Sequence, residues 1–502
     1  MIRRSSIAVW FFFTAAWGLF FLADVWPSIA LALVGIAQGE PPTDGFVITS
    51  RQGALLVRTL WMSGAASVAC VLFSLPTAYV LGQSARMKER PLLIAMLAAL
   101  LLCPPMVYAF GWQRLLPAEF NATLRCIGVW ALWAWPVPAM LVGAGWSRVG
   151  RSVQEAGRLD CGPAMASVRV GLPAVRQHII LAFLVVFIIF FNDYGVPHAC
   201  GLSLYATELL GWAANSPRVI DSGWPSIPVV AVTVLALWAT LRLWRACAAD
   251  QPANDARQGG PGSASPVLPC VAIGCFAISC ALPLAALATK LETPWFFVEA
   301  VSTYWRDILW SISLAGLAGL LTAWMGLAAG MSGRLGKTVA VWTVLLGAWP
   351  GALVGGSLVA AYNHAAFSWI YDSWPILVLS SVARFGWVGV MAANLVLGTG
   401  VSGLLDEART NGATRTAAVA WIVIPLGLPV LAATAGIVAA LSVADVAAST
   451  LVRVPFFSPL SHILIEKFHR FEDGMLICLS LLLVLVSAAG AWLVVAVLQR
   501  ET

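Results

Sequence analysis

Charged residues are scarce in this sequence, because Asp, Glu, Lys and Arg make up only 10% of its 502 residues. Soluble proteins carry about a quarter charged residues. Apolar residues reach 60%, and the mean hydropathy is +0.87. This composition excludes a soluble globular protein. Its apolar runs are long enough to cross a hydrocarbon layer of about 30 Å as helices of about 20 residues, which predicts an all-α integral membrane protein.

Motifs for metal binding or redox chemistry are also missing. The ten cysteines include no Cys-x-x-Cys pair and mostly lie inside apolar runs, which favours buried apolar thiols over disulfides or metal ligands. The five histidines are scattered. His462 and His469 share a polar segment that is more typical of a solvated loop than of a metal site. We therefore expect no metal and no cofactor.

A complete nucleotide-binding motif is absent as well. Gly333 to Thr338 looks like the end of a phosphate-binding loop, but the first glycine of that motif falls at Met331. We expect a protein that is not an enzyme and has no nucleotide site of its own. The net charge of +6 indicates no nucleic-acid partner, since basic residues in cytoplasmic loops account for it.

Twelve apolar runs predict twelve membrane helices, six on each side of a linker. The first run follows Arg3 and Arg4, and we expect a retained span because no clear signal-peptide cleavage site follows it. The runs lie near residues 7–36, 54–81, 91–111, 124–146, 177–196, 226–247, 267–289, 305–330, 338–360, 374–398, 428–450 and 473–498.

The linker, residues 248–266, is rich in Gly, Pro and Ser, a composition that is typical of a flexible connection. It predicts a first transmembrane domain at 1–247 and a second at 267–502. With the amino terminus inside, 18 of the 29 Lys and Arg residues fall in cytoplasmic segments and 10 on the opposite side. Arg384 lies inside the tenth span. This bias predicts that both termini are cytoplasmic.

A polar stretch occurs twice, at 154–173 and again, without a gap, 252 residues later at 406–425. Two further landmarks keep this spacing, since 59–60 matches 311–312 and Asp193 matches Asp445. An even number of spans in each half makes the two halves parallel repeats related by an axis along the membrane normal. A pathway between the halves follows from that symmetry.

Each copy of the polar stretch predicts a short cytoplasmic helix with an acidic and a small residue, then a glycine at a turn, then a proline at the start of a membrane helix. These features correspond to Glu155, Ala156, Gly162, Leu172 and Pro173 in the first copy. In the second copy they correspond to Asp406, Glu407, Ala408, Gly412 and Pro425.

With these residues, the chain resembles the permeases of binding-protein-dependent ABC importers, whose "EAA" loop has this pattern. Two permease domains in one chain resemble the ferric iron and thiamine permeases. The resemblance implies that both loops are coupling helices that dock on a cytoplasmic ABC ATPase dimer. It also implies an extracytoplasmic solute-binding protein as a partner and a location in the cell inner membrane.

The match departs from the family pattern in its spacing. Pro173 and Pro425 lie one residue closer to Glu155 and Glu407 than the pattern has them. Either each loop is one residue short, or Gln154 and Asp406 take the acidic position. Under the second alternative Gly412 has the spacing of the family pattern. In the first copy the glycine lies two residues later than that pattern has it.

A second likeness concerns the segment Asp193, Tyr194 and Gly195, which resembles the Asp-aromatic-Gly segment of the iron-type permeases. Residues 441–451, which include Asp445, resemble the matching segment of their second domain. An ionisable group at membrane depth is costly, so paired aspartates are candidates for a translocation pathway. The alternative is that each aspartate caps or bends a helix end.

These observations predict a transporter subunit that moves a small solute or metal ion and is powered by a separate ATPase. The alternative is a secondary transporter driven by an ion gradient, in which Asp193 and Asp445 would bind the coupling ion. Such a carrier has no reason to keep two cytoplasmic loops in register. The sequence does not identify the substrate.

Overall fold

The computed structural model of this chain describes residues 2–37, 49–83, 90–117, 119–215, 223–249, 267–289, 291, 293, 295–397, 401–452, 454–455, 457–470 and 472–498. These residues form helices and no strand, with one isolated bridge between Val454 and Phe457.

The helices before the predicted linker are α1 (Ile2–Phe20), α2 (Trp26–Ala37), α3 (Ser50–Gln83), α4 (Arg90–Leu102), α5 (Pro105–Leu115), α6 (Ala122–Ala134), α7 (Pro136–Trp146), α8 (Arg151–Cys161), α9 (Pro163–Ala166), α10 (Leu172–Ala174), α11 (Arg176–Phe191), α12 (Gly195–Ala199), α13 (Tyr205–Asn215) and α14 (Gly223–Ala249).

The helices after it are α15 (Val267–Phe276), α16 (Leu282–Thr289), α17 (Trp295–Gly330), α18 (Arg334–Ala348), α19 (Gly351–Tyr362), α20 (Ser368–Tyr371), α21 (Pro375–Val396), α22 (Ser402–Thr410), α23 (Arg415–Ala418), α24 (Ile424–Ala444), α25 (Ala447–Leu451), α26 (Leu460–His469) and α27 (Asp473–Leu498). Four π-helices lie between them, π1 (Phe21–Val25), π2 (Ser167–Gly171), π3 (Ala277–Ala281) and π4 (Val419–Val423).

Eight helices are long and apolar enough to cross a membrane, and the number rises to twelve if each of four bent helix pairs is one span. The expectation of an all-α membrane protein is confirmed at this level. The sharpest bends are 113°, between α18 and α19, and 88°, between α4 and α5. Pro350 and Pro104 stand at these two breaks. A proline disfavours helical backbone in the residue before it, which explains why both runs break there.

Two predicted spans end earlier than expected. The spans placed at 177–196 and 428–450 stop at Phe191 and Ala444, and the short helices α12 and α25 follow. The loop interpretation of the segment with His462 and His469 is wrong. That segment is the helix α26, because Leu460, Ile463 and Leu464 form a buried apolar stripe at helical spacing.

The π-helices π1 to π4 each lie immediately before a residue followed by proline. The four prolines are Pro27, Pro173, Pro283 and Pro425. Proline has no N–H for the carbonyl four residues earlier, and its ring collides with that carbonyl. A wider π turn relieves the collision and lets the helix continue. Pro425 stands in the first turn of the membrane helix α24, as predicted. Pro173 instead lies in the three-residue helix α10, and the membrane helix α11 begins after it at Arg176.

The chain contains two compact units. Unit 1 consists of Met1–Val47, Leu209–Ser226 and Glu292–Thr502, and unit 2 consists of Ile48–Glu208 and Ile227–Leu291. In unit 1, α1 packs on α17 and α2 packs on α19. In unit 2, α15 packs on α3 and α16 packs on α5. The compact units therefore differ from the sequence halves 1–247 and 267–502, because the first span of each half belongs to the other unit. Residues 250–266 of the predicted linker lie outside the described residues.

Small residues bring helices close together inside unit 1. A Cβ atom on Gly326 of α17 would lie 2.1 Å from the backbone of Gly389 in α21, so neither position has room for a side chain. Gly319 of α17 is as tightly packed on Ala435 of α24. Contacts of this kind are typical of membrane helices, where association depends on close packing. They hold α17, α21 and α24 together beside the segment that carries Asp445.

Candidate functional site

The first predicted coupling helix is α8, and its outer face is exposed. Glu155 and Ala156 are both exposed, and Leu159 beside them is 88% exposed. The opposite face packs on π2, where a Cβ atom on Gly157 would lie 3.0 Å from Val170. The helix thus presents an acidic and apolar surface outward while its backbone contacts the next helical segment.

Gln154 and Glu155 differ in their environment. Gln154 is half-buried, and its side-chain amide donates to the carbonyl oxygen of Val149 at 3.3 Å. A further bond ties α8 to α3, since the Arg158 guanidinium donates to the Tyr79 hydroxyl at 3.1 Å. Of these two neighbours, Glu155 is therefore the one that exposes its side chain, as Asp160 also does on the same helix.

The second predicted coupling helix is α22. Asp406 and Glu407 are exposed, and Ala408 is half-buried. Arg409 forms an ion pair with Asp406 at 3.3 Å, with both side chains in contact with solvent. Such an exposed pair contributes little stability, at most about 1 kcal/mol. The surface of α22 is thus acidic and partly neutralised, and it exposes Leu404 as α8 exposes Leu159.

Both helices end at a glycine in the left-handed region. Gly162 has φ = 78° and Gly412 has φ = 79°, a conformation that costs glycine little and other residues more. The Gly162 amide donates to Arg158 at 3.0 Å, and the Gly412 amide donates to Arg409 at 3.0 Å. The glycines predicted at turns therefore terminate the two exposed helices.

The elements that follow these glycines keep one spacing. The short helices α9 and α23 begin and end 252 residues apart, and so do π2 and π4. The helices α12 and α25, which follow the two aspartates, have the same separation. A membrane helix separates each exposed helix from its aspartate. The aspartate lies at the end of that membrane helix that is farther from the exposed helix. In unit 2 that helix, α11, has 16 residues and so spans about 24 Å.

Asp193 caps the amino terminus of α12. Its carboxylate accepts the backbone N–H of Gly195 at 3.1 Å and that of Val196 at 3.1 Å. Gly195 is needed for close packing, because a Cβ atom there would lie 3.3 Å from that of Met106. The Tyr194 ring stacks on the imidazole of His198, with centroids 4.8 Å apart.

A buried tryptophan completes the site of Asp193. The indole N–H of Trp130 donates to the Asp193 carboxylate at 2.8 Å, and Trp130 is fully buried. Its ring stacks on Phe190 with centroids 5.3 Å apart. Three donors therefore hold this carboxylate, two from the backbone of α12 and one from α6.

Asp445 stands at the corresponding position before α25. The backbone N–H groups of Ala447 and Ala448, which correspond to Gly195 and Val196 at the 252-residue spacing, interact favourably with its carboxylate. Capping by hydrogen bonds is realised at Asp193. It does not conflict with the pathway prediction, because a capping carboxylate still has oxygen lone pairs for a ligand.

In unit 1, Asp445 lines a small polar cavity. The cavity measures about 40 Å³, which is room for a few water molecules. Six serines line it, Ser311, Ser380, Ser381, Ser442, Ser449 and Ser461. The Ser381 hydroxyl donates to the Leu377 carbonyl at 3.1 Å, and the Ser449 hydroxyl donates to that of Asp445 at 2.6 Å. These hydroxyl groups donate their hydrogens to backbone carbonyls, so their oxygen lone pairs can accept hydrogen bonds. The cavity is therefore rich in hydrogen-bond acceptors.

Arg384 acts in unit 1, where its guanidinium donates to the carbonyls of Gly347 and Trp349. These carbonyls lie at the end of α18, and a cation is favourable at a helix carboxyl terminus. The charge of Arg384 also attracts the Asp445 carboxylate. The partners that the sequence does not identify are therefore two backbone carbonyls and one aspartate.

In unit 2, uncharged side chains donate the equivalent hydrogen bonds. Cys103 precedes Pro104 at the bend between α4 and α5, and its carbonyl accepts the indole N–H of Trp133 at 2.9 Å. Trp349 precedes Pro350 in the same way in unit 1, where Arg384 is the donor. In unit 2, Trp130 thus binds the aspartate and Trp133 binds the carbonyl that precedes the proline. In unit 1, Arg384 interacts with both of the equivalent groups.

The amino-acid sequence gives no sign of the roles of the two tryptophans and the six serines. Nothing distinguishes Trp130 and Trp133 among 24 tryptophans, because span ends attract tryptophan for other reasons. Serines inside apolar runs carry no pattern of their own. Within the described ranges, no group of three or more His, Cys, Asp or Glu side chains is close enough to hold a metal ion. The chain matches no family model, and no curated protein or solved structure matches it.

Proposed function

We propose that this chain is the permease subunit of a binding-protein-dependent ABC importer, with two transmembrane domains in one polypeptide. A separate cytoplasmic ATPase dimer powers it, and an extracytoplasmic solute-binding protein delivers a small solute. The observation that supports this best is the pair of exposed acidic helices, α8 and α22. Each is followed in the same order by a positive-φ glycine, a short helix, a π-helix and a proline.

In this proposal α8 and α22 are the ATPase contacts. An exposed leucine next to exposed acidic groups is typical of a surface that a partner protein covers. Leu159 is such a residue on α8. The tight packing of Gly157 on Val170 gives α8 a direct contact with π2, so a displacement of α8 is transmitted towards α11.

The helix α11 then carries that displacement towards Asp193. In unit 1, α24 leads from π4 to Asp445 in the same way. ATP binding closes the ATPase dimer and moves both exposed helices, and the membrane segments respond by alternating access to the pathway. Both termini and both exposed helices are cytoplasmic in this proposal, and the membrane is the cell inner membrane.

The polar cavity beside Asp445 supports a pathway function for that residue. Its acceptor-rich lining suits a cation or a ligand with hydrogen-bond donors. The substrate of this permease is a small solute or metal ion, and the family likeness points to ferric iron or thiamine.

Charge reversal on the two exposed helices tests the proposal. The double variant Glu155→Arg and Glu407→Arg, expressed with the cognate ATPase, should lose ATPase co-purification and solute uptake. The matched control is Glu119→Arg, which reverses an exposed charge at the other end of the α6 and α7 pair. Full retention of ATPase binding and uptake in the double variant would contradict the proposal.

The second candidate, a secondary transporter, is favoured by Asp24. This carboxyl group is fully buried in π1, and no donor among the described residues reaches either oxygen. Buried carboxyl groups in membrane helices bind protons in many carriers. Uptake that survives ATP depletion, stops with an uncoupler and is lost in Asp24→Asn would favour this candidate over the ABC permease.

A further inference from the structure

Two hydroxyl groups at the polar cavity beside Asp445 have no hydrogen-bond partner in the described part of the chain. The Ser442 oxygen is buried and unpaired there. Ser380, which is 5% exposed, also lines the cavity, and its hydroxyl forms no hydrogen bond with another described residue. A buried hydroxyl that is left unpaired costs free energy. Two such groups at one cavity therefore indicate a ligand that they contact.

The cavity lies where a membrane helix is interrupted. The helix α24 ends at Ala444, Asp445 has an extended backbone with φ = −76° and ψ = 114°, and α25 begins at Ala447. Carbonyl groups in the last turn of a helix carry a partial negative charge. In membrane transporters, unwound backbone and helix carboxyl ends of this kind coordinate Na⁺. The break between α24 and α25 thus makes the cavity favourable for a cation.

The charged groups around the cavity leave one negative charge in excess. Asp445 lines the cavity, and Arg384 attracts its carboxylate. A second carboxylate, that of Asp307, accepts the backbone N–H of Ser458 at 3.3 Å, and the residues on either side of Ser458 line the cavity. No Lys or Arg among the described residues forms an ion pair with Asp307. Two carboxylates with one guanidinium suit a monovalent cation.

From these observations we propose that the cavity binds one sodium ion, held by the Asp445 carboxylate and the hydroxyl oxygens of Ser380 and Ser442. Hard cations prefer oxygen ligands. A cavity of about 40 Å³ has room for this small ion with about two water molecules. A divalent ion is less suited, because within the described ranges no three His, Cys, Asp or Glu side chains are grouped to hold one.

The proposed site belongs to unit 1, because unit 2 has an aromatic ring where unit 1 has Ser442. At the 252-residue spacing Ser442 corresponds to Phe190. The Phe190 ring stacks on Trp130, which donates to the Asp193 carboxylate. An indole N–H thus satisfies the aspartate of unit 2, and the neighbouring ring offers no oxygen ligand. We therefore expect one sodium site in each chain.

Binding of radioactive Na⁺ to the full-length protein tests the proposal. The protein is purified in detergent with choline chloride, and bound tracer is measured by scintillation proximity with unlabelled Na⁺, K⁺ or choline as competitor. We expect saturable binding of one ion per chain, which Na⁺ displaces and K⁺ displaces much more weakly because the cavity is small. The ATPase and the binding protein are left out, so the result does not depend on the proposed permease function.

Thermal unfolding gives a second measurement on the same protein. A ligand that binds only the folded state stabilises it. Sodium chloride should therefore raise the unfolding temperature more than choline chloride or potassium chloride at the same concentration, and the increase should saturate over the range in which the tracer binds.

Three variants and a matched control locate the site. Ser380→Ala and Ser442→Ala each remove one oxygen ligand and should weaken Na⁺ binding about tenfold. Their unfolding temperatures in choline chloride should not fall, because neither hydroxyl has a described partner to lose. Asp445→Asn should abolish binding. The control Ser63→Ala removes a buried hydroxyl of unit 2 that also has no partner among the described residues, and it should bind Na⁺ like the wild type.

Several results would overturn the proposal. One is the absence of saturable Na⁺ binding in the wild-type protein, and another is an equal increase of the unfolding temperature with potassium or choline chloride. Wild-type Na⁺ affinity in both serine variants would exclude this cavity even if Asp445→Asn does not fold. Loss of binding in Ser63→Ala equal to that in Ser442→Ala would contradict the assignment to unit 1.

Discussion

The hydroxyl oxygen of Tyr108 lies 2.5 Å from the carbonyl oxygen of Ser279, to which it donates a hydrogen bond. Ser279 is four residues before Pro283, so the donor that an α-helix would supply to this carbonyl is missing. In unit 1 the Tyr362 hydroxyl donates to the Leu22 carbonyl at 2.7 Å, and the Trp26 N–H, which an α-helix would direct to that carbonyl, bonds to Phe21 instead. In each first span a tyrosine thus supplies a hydrogen bond to a helix carbonyl shortly before the proline.

Removal of the Tyr108 hydroxyl should lower stability. In Tyr108→Phe the Ser279 carbonyl loses this donor, which we expect to cost about 1–3 kcal/mol because the group is buried. The apparent unfolding temperature in detergent measures the effect, and Tyr362→Phe should show a similar decrease. The control Ser279→Ala keeps the carbonyl and should have the smaller effect. Equal unfolding temperatures for Tyr108→Phe and the wild type would show that the bond contributes nothing.

Trp130→Phe should destabilise the Asp193 site more than Trp133→Phe destabilises the bend at Pro104. Trp130 donates to a carboxylate, and bonds to charged groups contribute about 1.5–3 kcal/mol, against about 1 kcal/mol for a neutral carbonyl. Both variants keep an aromatic ring of reduced size. Thermal unfolding of the two proteins in the same detergent gives the comparison, and the reverse order would contradict the assignment of Trp130.

Serine variants separate the capping role of the two aspartates from a role of their charge. Asp193→Ser and Asp445→Ser keep a side-chain acceptor for the helix amino terminus but remove the carboxylate, whereas alanine removes both and should cost about 0.5–2 kcal/mol. If the carboxylates serve the pathway, the serine variants should fold normally and lose uptake. Normal uptake in both serine variants, measured with the cargo of the cognate binding protein, would leave only the capping role.

Arg384 and Asp445 should be energetically coupled. Arg384→Met leaves the Gly347 and Trp349 carbonyls without this donor and removes the positive charge near Asp445, so it should destabilise unit 1 strongly, by about 3 kcal/mol or more. Asp445→Asn should recover part of the loss in the double variant because no unpaired carboxylate remains. A double-mutant cycle on the unfolding free energies measures this coupling. A coupling of zero would mean that Arg384 acts only on the carbonyls.

Asp24→Leu should stabilise the protein. The carboxyl group of Asp24 is fully buried, and within the described ranges neither oxygen has a hydrogen-bond donor. Leucine is similar in size and removes a desolvation cost of about 1–3 kcal/mol. A raised unfolding temperature with unchanged uptake would assign Asp24 no transport role. A raised unfolding temperature with lost uptake would instead identify a functional acid, as the secondary-transporter candidate requires.

Part of the site follows from local sequence alone. The two polar stretches predict exposed helices because charged residues interrupt apolar runs, and Gly162 and Gly412 end those helices through a local backbone preference. The break at Pro350 also follows from local sterics. The span ends near Asp193 and Asp445 are less predictable. Hydropathy is averaged over a window of residues, so a single aspartate hardly lowers the average. In the structure these helices end earlier, at Phe191 and Ala444, and the Asp193 carboxylate caps the short helix that follows the first of them.

By itself the sequence determined the class of protein, the approximate spans, the 252-residue spacing between the two polar stretches and the exposed acidic helices. All of these depend on composition or on neighbours along the chain. Only the tertiary structure decided which first span packs in which unit, and that Trp130 binds Asp193 while Arg384 attracts Asp445. These pairings depend on contacts between residues tens to hundreds of positions apart. In a chain made almost entirely of apolar helices, many such pairings satisfy the same hydropathy pattern, and close packing selects among them.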